Sequence, residues 1–203
     1  MLERWRATCQ ALRAPADADA WFTIIEALHG SPVRAYHNLT HVAQCLELLE
    51  AHRSAASEPL LIELALWFHD CVYVPGTKDN EARSAAVGVE ATRALGLGEA
   101  AGRTVERLIL ATRHTAAPTT ADEALLLDID MSILAQPDAR YRLYTQQIRS
   151  EFAFVSDADF TKGRSQFLAG LLGRERIFFS GPLGGLEREA RANIRAELER
   201  LTG

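Results

Sequence analysis

Apolar residues recur at three- and four-residue spacings along almost the whole chain, the period of helices that each bury one face. "DADAWFTIIEALHG" opens on candidate caps Asp17 and Asp19, groups Trp21, Ile25 and Leu28, and stops at Gly30 with Pro32 behind it. "NLTHVAQCLELLEAH" repeats Leu39, Val42, Leu46 and Leu49, and "SEPLLIELALWFHD" begins with Pro59, which suits a first helical turn. "NEARSAAVGVEATRALG" ends at Gly96, "EAAGRTVERLILATRH" follows, and Asp122 is placed to cap "EALLLDIDMSILA". "DARYRLYTQQIRSEFAFV" and "DADFTKGRSQFLAGLLG" add two helices. The last segment sets Leu186, Ala190, Ile194, Leu198 and Leu201 in one stripe opposite charges. Strand signals are nearly absent, "CVYV" being the one piece with an extended look. "SGPLGG" (180–185) reads as a turn, not a boundary. The pattern predicts one all-α domain over residues 1–203.

Composition narrows the function. The chain has 203 residues, 48% hydrophobic and 24% charged, with a net charge of −5. An acidic balance argues against binding a nucleic-acid polymer, which needs a basic surface, but not against a small anionic substrate in a local pocket. Cys9, Cys45 and Cys71 are odd in number and widely spaced, the usage of reduced thiols rather than of a disulfide framework or thiolate zinc site. No N-terminal apolar core suggests a signal peptide, and no apolar run approaches ~18 residues, so no membrane span is expected and the expected location is cytoplasmic. The oligomeric state is not encoded legibly.

Four residues stand out chemically. His69 and Asp70 end the apolar run "LLIELALWF" and lie over Leu66, Ala65 and Trp67. An ionised carboxylate there is costly unless paired or metal-bound; for the doublet alone, an Asp that merely orients its neighbouring His or caps a loop is the simpler reading. Asp130 has helical neighbours Leu126, Leu127, Ile133 and Leu134, and metal binding ranks above a buried pair with Arg. Asp128, two residues away, points elsewhere, toward solvent or a supporting hydrogen bond. His41 shares a face with Cys45 and Leu48. Two imidazoles and two carboxylates on apolar faces suit a six-coordinate divalent ion such as Mn, Fe, Co, Ni or Mg. Motifs for a P-loop, HExxH, GxSxG or strand-bound GxGxxG are missing.

The order His41, then the doublet His69-Asp70, then Asp130 before an apolar helix resembles the HD-domain superfamily of metal-dependent phosphohydrolases. "THVAQCLELL", "LALWFHD" and "LDIDMSIL" are similar to its ligand-bearing helices. "YHNLTH", "FHDCVY" with "DNEARSA", "ATRHT" and "EREARANI" resemble an uncharacterised bacterial branch of it. The superfamily likeness covers about residues 36–135 and the narrower one nearly the full length. It implies an all-α HD-domain bundle with additional C-terminal helices, the N- and C-terminal helices packing on that core. It further implies a divalent metal on His41, His69, Asp70 and Asp130 that polarises phosphate and activates water, and hydrolysis of a small phosphate ester, a nucleotide among the candidates.

The remaining polar residues surround this core. Glu81, in a first helical turn, is either a general base or an acid suited to the helix dipole. His114 is a catalytic candidate, since in HD relatives histidines between doublet and last Asp hold a second metal or bind phosphate; the bland alternative is a helix C-terminal cation. His37, Lys78, Arg113 and Arg34 are candidates for binding substrate phosphate, each alone being as readily a structural or solvated residue. His29 and His52 read as structural. In the last helix, Arg191 or Glu189 is expected to pack inward. A non-catalytic nucleotide-sensing module is one alternative. An HD-type di-iron oxygenase is another, but it requires two further histidines where this chain has only His114.

Overall fold

The computed structural model describes residues 1–14 and 18–202, and among these residues it is all-helical, with no strand. Ten α-helices follow in order: α1 (Leu2–Ala11), α2 (Ala18–His29), α3 (Leu39–Ala51), α4 (Pro59–Phe68), α5 (Asn80–Ala94), α6 (Gly98–Ala111), α7 (Ala121–Asp130), α8 (Asp138–Glu151), α9 (Asp157–Leu172) and α10 (Glu187–Thr202). None is long and apolar enough to cross a membrane.

The most apolar segment became the centre. Every residue of α4 from Ile62 to Phe68 is buried, and α1, α3, α5, α6 and α7 all pack on it. Its C-terminal end is fixed by aromatic edges: Trp67 meets Trp5 at 5.4 Å and Phe22 at 6.3 Å, while Phe68 meets Trp5 at 6.0 Å and Trp21 at 5.9 Å. Such pairs add about 0.5–1.5 kcal/mol each beyond area burial, so the position of residues 69 and 70 is well determined. The charge inside α4 is also satisfied. Glu63 accepts from Thr8 Oγ1 at 2.8 Å and Arg53 Nη1 at 3.1 Å.

Several local expectations are revised. Asp19 lies within the first turn of α2 rather than capping it, and Asp17 lies outside the described residues. Thr120 caps α7 by accepting from the Glu123 amide. Asp122 instead reaches across to the amides of Ser57 and Glu58 at 2.7 and 2.9 Å, tying the starts of α7 and α4 together. The single helix expected through Ala135 is divided: α7 ends at Asp130 and a 3-10 turn spans Met131–Ala135. α6 stops at Ala111, short of His114, which takes a left-handed φ of 53°. "CVYV" forms no strand because its backbone is tied by side chains. Ser84 Oγ accepts from the Val72 amide, and Asn80 exchanges two hydrogen bonds with Val74.

α8 and α10 pack on the 3-10 turn that follows α7, and α9 holds α10. Asn193 of α10 donates to the carbonyls of Leu134 and Gln136 at 2.8 and 2.9 Å. Arg164 of α9 grips Glu197 of α10 at 2.7 and 3.2 Å, both side chains buried. Arg191 packs inward as expected, donating to the carbonyls of Leu172, Arg174 and Glu175, whereas Glu189 pairs with Arg188 at the surface.

Candidate metal centre

Three helix ends converge on one point. Asn38 caps α3 by accepting from the Thr40 amide at 2.8 Å, and His41 follows in the first turn on the buried side. His69 stands at the C-cap of α4, with Asp70 next in the chain, and Asp130 is the last residue of α7. Donor atoms of His41, His69, Asp70 and Asp130 all lie within 4.8 Å of one another. His41 Nε2 is 3.2 Å from His69 Nε2 and 3.2 Å from Asp130 Oδ1, and His69 Nε2 is 3.1 Å from Asp70 Oδ2.

This donor set can hold a metal ion. Ligands on an octahedral ion with bonds of ~2.1 Å stand about 3.0 Å apart when adjacent and about 4.2 Å when opposite, which brackets the 3.1–3.8 Å separations of the histidine nitrogens from each other and from the two carboxylates. The tautomer of His69 is also right. Its Nδ1 is 2.9 Å from the Leu66 carbonyl, which can only accept, so Nδ1 carries the proton and the Nε2 lone pair faces the cluster. Burial opposes charge on His69, yet the adjacent Asp70 and Asp130 outweigh it and push its pKa up. Burial likewise opposes ionisation of Asp70, but His69 pulls its pKa down; for Asp130 the hydrogen bonds to His114, His41 and His69 do the same. The site therefore demands positive charge. A proton between two Nε2 atoms satisfies at most one acceptor at a time, whereas a divalent ion satisfies all four donors. Burial raises the Cys45 thiol well above its ordinary range, and Sγ lies 3.7 Å from both ring nitrogens of His41, over the ring rather than at a lone pair. It packs as a neutral thiol.

Around this core the other sequence candidates separate. His114 Nε2 reaches Asp130 Oδ2 at 2.9 Å. Its left-handed backbone is held from outside by Arg174, which donates to the His114 carbonyl at 2.6 Å. His37 is turned by a buried carboxylate the sequence reading did not single out. Glu151 Oε2 takes His37 Nδ1 at 2.7 Å and the Tyr73 hydroxyl at 3.0 Å, while Oε1 accepts the amides of Tyr36 and His37 at 2.7 and 2.9 Å. Burial works against the His37 imidazolium, but the Glu151 hydrogen bond and the charges of Asp70 and Asp130 outweigh it and raise its pKa. Glu151 is lowered in turn, hydrogen bonding overcoming its own burial. The Tyr73 ring stacks on His37 at 4.0 Å, and the Tyr36 ring lies 4.8 Å from that of His41.

Arg34 is a backbone strut. It is buried and donates to the carbonyls of His37, Asp70 and Cys71, locking the α3 entrance to the doublet. Lys78 and Arg113 are exposed, and their side chains make no hydrogen bond or ion pair among the described residues. Glu81 is half-buried in the first turn of α5, and the same holds for its side chain. Asp128 turns away from the cluster to accept the amides of Phe179 and Ser180 and the Ser180 hydroxyl, the supporting hydrogen bond of the two readings and not solvent. His29 is structural, with Nδ1 on the Ile25 carbonyl, and His52 closes α3.

Glu151, Tyr73 and Arg174 carried no local signal. Glu151 ends a helix of mixed composition, and its partner His37 lies 114 residues away. Compared with known proteins, the chain matches no protein-family model, no curated protein and no solved structure. A buried His-His-Asp-Asp cluster able to hold a metal ion, in an all-helical protein, is what sequence and geometry jointly establish.

Proposed function

We propose that this protein is a metal-dependent phosphohydrolase acting on a small phosphate ester, with His41, His69, Asp70 and Asp130 as the metal ligands. The observation that carries the reading is the convergence of these four donors from three helix ends to within 4.8 Å. It agrees with the likeness of their sequence order to the HD-domain pattern. A divalent ion held there would supply a Lewis acid for a phosphoryl oxygen and a bound water of lowered pKa.

The chain's own residues divide the remaining work. His69 presents Nε2 because the Leu66 carbonyl occupies Nδ1. His114 holds Asp130 from the outside, fixing which carboxylate oxygen faces inward. Glu151 fixes the His37 ring through Nδ1, leaving Nε2 to donate to a phosphate oxygen or to return a proton to a leaving group. Glu81 is the base candidate for water, and Lys78 and Arg113 add positive charge at the rim for an anionic substrate.

The test is phosphate release from a broad ester panel by protein loaded with Mn, Co, Ni, Fe or Mg. Turnover that disappears in Asp130→Ala is the expected result. A metal-loaded, folded protein that turns over no ester would refute the assignment.

A further inference from the structure

Three cavities lie near the candidate centre, one lined by the ligand His41 and two by the neighbouring His114 and His37, and their walls differ. One of about 390 Å³ beside His41 carries Gln44, Glu47, Gln136 and Arg140. One of about 400 Å³ beside His114 carries Arg174, Glu175 and Arg176. The third, about 450 Å³ beside His37, is walled by Tyr73, Tyr144, Ile148, Phe152, Phe160 and Phe167. We propose that this third cavity seats the organic group of the substrate, and that the substrate is an aryl phosphate ester rather than a sugar or nucleoside phosphate. The proposal rests on the phosphohydrolase reading above.

The wall offers few free hydrogen-bonding atoms. The Tyr73 hydroxyl is given to Glu151. Arg164 spends Nε and Nη2 on Glu197 and Nη1 on the Tyr144 hydroxyl. Asp159, exposed at the rim, takes the Ser156 hydroxyl at 2.7 Å. Against this mostly apolar wall a sugar or a nucleobase edge finds only the Tyr144 O–H, the second Asp159 oxygen and His37 Nε2 in place of water, whereas an aromatic ring gives up little and gains ring faces. Part of the wall is open apolar surface: Phe167 is 44% exposed, and the wall residue Phe152 carries Phe154 stacked on it at 5.9 Å outside the cavity. Aromatic surface left open beside a concave wall is the mark of a ligand site. His37 joins this cavity to the centre, since it lines the wall and its ring is 6.2 Å from that of His41. An ester with its phosphate at the centre and its ring in the cavity would straddle His37.

Gly163 supplies the test. It lies on the cavity wall, and a Cβ there meets no atom within 4 Å, so a side chain can start from this position without pushing on the backbone or its neighbours. Gly170, on the same helix and equally unobstructed, is not on that wall and serves as control. With Mn-loaded full-length protein, kcat/KM is measured for 1-naphthyl phosphate, glycerol 1-phosphate and adenosine 5′-monophosphate. A preference for the naphthyl ester of at least about tenfold is expected, collapsing in Gly163→Trp and, to a smaller extent, in Gly163→Leu, and persisting in Gly170→Trp. Turnover without that preference, or a preference indifferent to Gly163, overturns the cavity assignment and leaves the phosphohydrolase reading standing. If no ester turns over, the phosphohydrolase reading falls and calorimetry decides the cavity. Naphthyl phosphate binding tighter than inorganic phosphate, and weakened by Gly163→Trp, upholds it; equal binding overturns it.

Discussion

Replacing Glu151 by Gln keeps the shape of the side chain and removes its charge. Four donors meet this carboxylate at 2.7–3.0 Å: two backbone amides, His37 Nδ1 and the Tyr73 hydroxyl. A glutamine carbonyl still accepts both amides, but its NH2 faces His37 and Tyr73 with donors where an acceptor stood. Hydrogen bonds to a charged group contribute about 1.5–3 kcal/mol, so losing the His37 bond and weakening the others should cost about 2–3 kcal/mol. At about 2–4 °C per kcal/mol for a chain of this size, Tm should fall by roughly 4–12 °C.

The cost should depend on pH in a definite direction. His37 has a raised pKa, so its contribution is complete below its ordinary value of about 6.5 and is lost as pH rises through the folded value. Glu151 has a lowered pKa, so its contribution is present above about 4.5 and is lost as pH falls through the folded value. The Tm gap between the wild type and Glu151→Gln should therefore be widest between about pH 4.5 and 6.5 and shrink toward pH 9. Thermal unfolding followed by circular dichroism across that range measures it. A gap that is absent, or that grows steadily with pH, would refute the pairing of His37 with Glu151.

Three further outcomes are expected. Titration calorimetry with Mn should show binding lost in Asp130→Ala and weakened about 10- to 100-fold in His114→Ala, which removes a partner of a ligand rather than a ligand; metal at 100 times its Kd should add about 2.7 kcal/mol of stability, removed by chelator. Asp128→Ala strips the partner from two amides and a hydroxyl in a fully buried place and should cost about 3 kcal/mol in urea unfolding, with little change in metal affinity. Gly88→Ala would set a Cβ 2.7 Å from Ile109 Cδ1 and 3.2 Å from Val105 Cγ1 where α5 packs on α6, so overpacking of about 1–3 kcal/mol should exceed any gain in helix propensity; an unchanged or higher Tm would contradict that packing.

The sequence by itself determined the all-helical architecture and named the four donors. Periodic burial is a local property, so the helical faces could be read from spacing alone. His41, His69, Asp70 and Asp130 stood out because ionisable groups on apolar faces need partners. Their convergence to within 4.8 Å was decided by tertiary packing, chiefly the aromatic clamp on Trp67 and Phe68 and the bracing of residues 134–136 by Asn193. Tertiary structure alone also turned Arg34 inward onto three carbonyls, ended α6 early to bring His114 against Asp130, and placed Glu151 under His37 from 114 residues away. No local spacing encodes such pairings. They exist because helices distant in sequence share one interior, where each buried donor and acceptor must find a partner or pay its desolvation.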